Sequence, residues 1–241
     1  MRQVGGVAAA CVAAAMCSVA VKSASAQAAA SADRFATYLL FSGFDLWRNG
    51  GSVHGGVLWS PDGIANDGFT LKLLLAAGTY KYRSGTSEIT GTHALNALMP
   101  GWRFKRNGFE VTVYAGLDVQ THTTTPIDAG NRLRGVHAGL RAGADVWYEH
   151  GPLMASAAVS ASTIGTSYWG RSAVGWRVFD MAWVGPEVLA LGDTTYRQMR
   201  LGLHVTSLRT GPVEWTAAAG FVRDSDRREG PYGHLGLVMR R

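Results

Sequence analysis

Beyond residue 26 the sequence contains no cysteine. A disulfide scaffold, a thiolate metal site and a cysteine nucleophile are therefore excluded downstream of that point. Charge is sparse as well. Asp, Glu, Lys and Arg make up 17% of the chain, with a formal excess of +6. Basic residues cluster no further than pairs such as Arg227-Arg228 and Arg240-Arg241, so nucleic acid has no electrostatic footprint here. Past the N-terminal segment no apolar run reaches the roughly 18 residues of a membrane helix. Motifs of known chemistry are missing too: no G-x-S-x-G, no His-x-x-x-His, no acidic calcium loop and no phosphate loop.

What is present starts at the N-terminus, "MRQVGGVAAACVAAAMCSVAVKSASAQ". Arg2 gives a short positive region, residues 4–21 are small and apolar, and Ala24-Ser25-Ala26 offers a small-x-small cleavage site. This predicts a secretory signal peptide over residues 1–26. A short segment, 27–36, then leads into a single domain over 37–241.

Within that domain the dominant pattern has period two. In "GFEVTVYAGLDVQTH", residues 108–122, Phe109, Val111, Val113, Ala115, Leu117 and Val119 share one face. Glu110, Thr112, Tyr114, Gly116, Asp118 and Gln120 share the other, as alternation along a strand requires. The same ladder recurs in "LRGVHAGLRAGADVWY", "YRQMRLGLHVTS", "FTLKLLLAAGTY" and "VEWTAAAGF". Twelve strands are predicted, most of ten residues or more, which exceeds the usual soluble strand and suits a tilted membrane-spanning one. Asn107-Gly108 marks a tight hairpin, and Met99-Pro100-Gly101 predicts a break in the fourth strand. Mostly tight turns follow the even strands, and polar loops such as 121–135 and 223–230 follow odd ones, as in outer-membrane barrels.

The expected fold is therefore all-β: an antiparallel up-and-down transmembrane barrel of the outer-membrane type. About twelve strands are expected, with ten to fourteen compatible. The apolar faces then meet outer-membrane lipid and the polar faces line the interior. Inner-face glycines such as Gly116, Gly139, Gly143 and Gly202 leave room for long neighbours. Tyr38, Trp47, Trp59, Tyr148, Tyr168 and Trp183, near strand ends, fit aromatic girdles.

Candidate lumen-lining residues follow from the same parity: Glu110, Tyr114, Asp118, Arg141, Asp145, Trp147, Arg171, Arg177, Glu187, Arg200, His204 and Glu214. Buried charges must pair, so cross-strand ion pairs that plug the interior are the favoured arrangement, with a narrow conduit as the alternative. Tyr80, Tyr114, Trp147, Trp169, Trp183 and Tyr196 are candidate aromatic platforms. No catalytic group, cofactor or metal site is predicted. An enzymatic alternative, acting on lipid or exported glycan, would centre on His122, Asp118 and Asp128 near the 121–135 loop.

The segments "LFSGFDLW", "HGGVLWSPDGIANDGFTLKL", "PIDAGNRLRGVHAGLRAGADVWY", "VGPEVLALGDTTYRQMRLGLHVT" and "GPYGHLGL" resemble the family called cellulose biosynthesis protein BcsS, from about residue 37 to the end. The resemblance implies an exported protein associated with cellulose synthesis and secretion, with cellulose or components of its secretion machinery as partners. It carries over no catalytic residue.

Overall fold

The computed structural model describes residues 36–241; the expected signal peptide lies outside them. The period-two segments form twelve strands: β1 (Tyr38–Trp47), β2 (Gly50–Trp59), β3 (Gly68–Ser84), β4 (Ser87–Arg106), β5 (Phe109–Thr125), β6 (Gly135–His150), β7 (Leu153–Ser162), β8 (Tyr168–Val178), β9 (Ala182–Gly192), β10 (Arg197–Thr210), β11 (Val213–Asp224) and β12 (Glu229–Arg240). Each pairs antiparallel with its sequence neighbours, and β1 pairs with β12, closing the sheet. Closure leaves no unpaired edge.

The outward face is apolar. Val113 is 43% exposed and Leu117 64%, and Leu98, Leu140, Leu201, Leu203 and Phe221 are exposed with them. So large a continuous apolar surface does not persist in water; it fits a bilayer. Tyr38, Trp102, Phe104, Phe109, Tyr148 and Trp176 point outward near the end that holds both strand termini of the barrel, where an aromatic girdle belongs. Trp47 and Trp183 do not join it. Their parity turns them inward, where Trp47 packs on the tyrosines of the opposite end and Trp183 is buried.

The expected break at Met99-Pro100-Gly101 is absent, and β4 runs straight through it. Its ladder to β3 is continuous across Pro100, while its ladder to β5 lapses between Leu98↔Leu117 and Gly101↔Tyr114. Proline removes one donor, and one side of the ladder absorbs the loss. Pro186 behaves alike: the β9–β10 ladder is unbroken and the β8–β9 ladder lapses. The Asn107-Gly108 hairpin forms as expected, with φ of 41° and 81°, the left-handed pair that a two-residue hairpin turn needs.

Loops differ from expectation. Strand β5 continues to Thr125, because Thr121, Thr123 and Thr125 keep pairing with β4, so the loop shrinks to 126–134. The 223–230 segment likewise shrinks to 225–228 between β11 and β12. At the terminal end, Ser60–Asp67 folds inward, with Ile64 buried against Ala36 and Leu58. The long strands β3, β4 and β5 carry the opposite, far end furthest outward.

Candidate functional site: the barrel lumen

Inward parity gathers the polar side chains of all strands into one interior. It is not filled. A cavity of about 1150 Å³ runs through it, bounded by Lys105, Asn107 and Gly151 near the terminal end and by Tyr80, His122 and Tyr196 near the far end. Cross-strand pairing occurs as expected, yet twelve strands enclose more space than these pairs occupy, so a solid plug does not form.

Ion pairs stand in tiers. Near the terminal end, Glu110 meets Arg103 Nε at 3.3 Å and Lys105 Nζ at 3.1 Å, and the Arg103 guanidinium also donates to the Ile64 carbonyl. That bond ties the inward loop to the wall. In the middle, Lys72 Nζ donates to Tyr114 Oη at 2.8 Å and to Asp145 at 2.9 Å, and Tyr114 donates to Asp145 in turn. Two strands on from Asp145, Arg171 Nε donates to Glu187 at 2.9 Å, and Tyr232 Oη donates to the same carboxylate at 2.7 Å. Arg200, 1% exposed, pairs with Asp45 and lies between Trp47 and Tyr232, with its guanidinium carbon 4.7 and 5.5 Å from their ring centres. His234 Nδ1 approaches Asp45 at 3.4 Å, and its ring stacks over His54 at 6.1 Å.

The remaining sequence candidates are distributed unequally. Trp147 faces the cavity, and Glu214, which pairs with Arg209 and Arg240, borders it near the terminal end. Three others stand away from the open space. Asp118 is 0% exposed; it accepts from Arg141 at 3.0 Å, from Gln120 at 2.8 Å and from Ser162. His204 is enclosed between Thr206 Oγ at 2.9 Å and the Val174 carbonyl at 3.1 Å. Arg177 sits at the terminal rim, paired with Glu149 and stacked 4.5 Å over Trp183. Alternation assigns a face, but neighbours from other strands decide whether an inward side chain meets space or protein.

His122, Asp118 and Asp128 do not converge into one site. His122 bonds Gln120 at 2.9 Å rather than Asp118. Asp128 belongs to the 126–134 loop, where it accepts from Tyr82 Oη at 2.8 Å and from Gly130 N–H at 3.0 Å. The Asp128 carboxyl is held below the usual carboxylate range, first by the Tyr82 hydroxyl, then by Gly130 N–H and the nearby Arg134 charge. No group of three or more potential metal ligands forms among the described residues.

Sequence reasoning missed Lys72, Arg103 and Tyr232 as partners. Lys72 and Tyr232 have the inward parity of their strands, which was the available signal. Arg103 was hidden by the false break at Pro100.

Geometry of this type is found in solved structures. The chain is similar to the translocator domain of the autotransporter NalP from Neisseria meningitidis, with 12% identity and a TM-score of 0.50, covering 95% of this chain and 98% of that one. It also resembles the KdgM porin, at 9% identity and a TM-score of 0.43, covering 83% and 98%. The transport unit of the autotransporter AIDA-I from Escherichia coli gives 10% identity and a TM-score of 0.45, covering 86% and 90%. The NalP likeness supports an outer-membrane-type barrel fold. A comparison with curated protein sequences finds no match. Residues 39–241 match the family described as cellulose biosynthesis protein BcsS, and the chain belongs to that family.

Proposed function

We propose that the protein is a non-enzymatic barrel of the bacterial outer membrane that assists export or surface display of cellulose, and that its lumen takes an uncharged glucan. The terminal end faces the periplasm and the far end faces outward. The expected leader over residues 1–26 directs export and is removed. Outer-membrane lipid surrounds the apolar wall, and cellulose or its secretion machinery is the partner.

One observation carries the reading toward an uncharged solute. Seven cationic and seven acidic side chains border the cavity, and every one of those cations has a carboxylate partner. Such a wall carries no excess of formal charge of one sign to attract an ion. It offers hydroxyls, amides and paired charges, which suit a polymer rich in hydroxyl groups. Family membership supplies the link to cellulose.

An in-frame deletion in the cellulose-producing parent tests this. Extracellular cellulose should fall or lose its attachment to the cell surface, and a plasmid copy should restore it. Unchanged cellulose, in a strain whose parent expresses the protein in its outer membrane, overturns the reading.

A further inference from the structure

Six inward aromatics were candidates for stacking a sugar ring, and the structure separates them. Tyr80 is covered by Tyr196 and Tyr82, with ring centres 5.2 and 5.9 Å away. Lys72 Nζ lies 4.2 Å over Tyr114, and Arg177 lies 4.5 Å over Trp183. Trp147 of β6 and Trp169 of β8 differ. Both border the cavity, and among the described residues no ring or cation stacks on either indole.

The two indoles flank one strand. Trp147 is in register with Ser156 of β7, and Trp169 with Ser160. Strand spacing and rise then set their Cα atoms roughly 16 Å apart on a diagonal across the wall. Between them, Ala158 is in register with Asp145 on one side and Arg171 on the other. The floor is therefore low, and charged groups stand at its two margins. Arg141 donates to Ser160 Oγ at 3.2 Å beside the Trp169 end. Arg141 is 5% exposed, borders the same cavity and leaves its Nε–H without a partner.

We infer that the β6–β8 wall is a glycan-binding track, on which a β-linked pyranose chain lies across Trp147 and Trp169. A β-linked pyranose presents C–H groups on its ring faces and hydroxyls at its edges. The faces match the negative faces of the indoles. The edges match Asp145, Arg171, Arg141 and the β7 serines, a few polar groups set in a largely apolar pocket. Both charges at the margins keep their ion-pair partners, Lys72 and Glu187, so the track binds hydroxyls without selecting for charge. This inference rests on the reading of the lumen as a glucan path and names where in that lumen the polymer is held.

The test uses the full barrel folded in detergent, with cellohexaose titrated by calorimetry. Oligogalacturonate and maltohexaose serve as charged and α-linked controls. The wild type should bind cellohexaose in preference to both. Trp147→Ala and Trp169→Ala should each weaken binding by about tenfold, as truncating a central aromatic contact does. Ala158→Trp should block the track, and the outward Trp102→Ala should change nothing. Heat-modifiable gel migration establishes that each variant is folded. Binding unaffected in both tryptophan variants, or absent in the wild type, overturns the track. The deletion phenotype decides the broader reading separately, since a cellulose defect with intact binding in the tryptophan variants leaves the glucan path standing and removes only its placement.

Discussion

Tyr80 and Tyr196 meet ring to ring, their centres 5.2 Å apart. Tyr80 belongs to β3 and Tyr196 precedes β10, and β2, β1, β12 and β11 lie between those strands round the barrel. The contact thus bridges the lumen near its far end. Asp193 fixes the turn that carries Tyr196, with its Oδ1 accepting from Thr195 N–H at 2.6 Å and Tyr196 N–H at 2.9 Å. The bridge constricts the cavity at its far end, where both rings border it.

Single-channel conductance reads that constriction. The Tyr196→Ala barrel in a planar bilayer should conduct more than the wild type, and Tyr80→Ala should do the same. Trp102→Ala, which alters only the outer face, should match the wild type. Equal conductance in all four proteins would show that another element sets the resistance.

Cysteine labelling tests the faces, since residues 27–241 hold no native cysteine. Val113→Cys should react with a lipid-soluble maleimide and resist a water-soluble one. Ser156→Cys, on the cavity wall, should show the reverse. Thr112 is 3% exposed and accepts from Arg103 Nε at 3.2 Å, so Thr112→Cys should resist both. In the same strand Leu117→Arg, in register with Leu98 and Leu140, should cost about 2–4 kcal/mol, measured by urea unfolding in lipid, whereas Val113→Arg, in register with Trp102 of the girdle, should cost less.

The Asp118–Arg141 pair predicts a large stability effect from a small change. Both groups are buried, and Asp118→Ala leaves the Arg141 charge without its carboxylate. Removing one partner of such a pair costs about 3–5 kcal/mol. The Asp118→Ala barrel should lose its compact gel mobility at a lower temperature than the wild type. The exposed Lys81–Glu88 pair is the control, and Glu88→Ala should shift that temperature little.

Gly91 gives a rescue experiment. A Cβ there would stand 2.6 Å from the Tyr80 ring, and its three nearest atoms all belong to that ring. Gly91→Ala should therefore destabilise by about 1–3 kcal/mol, the usual range for overpacking. In a Tyr80→Ala background, where that ring is gone, the same glycine substitution should cost little. A double variant no better than the sum of the two singles contradicts the steric account.

Acid should loosen the 126–134 loop. Its Asp128 carboxyl is depressed by the Tyr82 hydroxyl. The contribution is present above the ordinary aspartate value and is lost as pH falls through the lowered one. Amide hydrogen exchange in the 126–134 loop, corrected for the intrinsic pH dependence of exchange, should show protection at neutral pH that is lost in acid. Tyr82→Phe should move the onset to higher pH. Protection that is independent of pH in both proteins removes Asp128 as the latch.

Several features were legible in the sequence alone, because alternation is a local property. A strand forces successive side chains to opposite faces, so "EVTVYAGLD" reveals both its conformation and its apolar side without any partner. Recurring in most of the long segments, that pattern pointed to the barrel and to its apolar outer face. The Asn107-Gly108 turn was equally local, since only a few residues accept its backbone angles. Tertiary structure decided the rest. Pro100 reads as a break, yet the intact β3 ladder carries β4 past it. His204 and Trp147 share the same inward parity, but one is enclosed by Thr206 and Val174 while the other meets the cavity. Trp147 and Trp169 become a pair only because register sets them on either side of Ser156, Ala158 and Ser160. Such relations depend on how residues distant in the chain fall opposite one another on closing the barrel, and period-two patterning carries no record of that register.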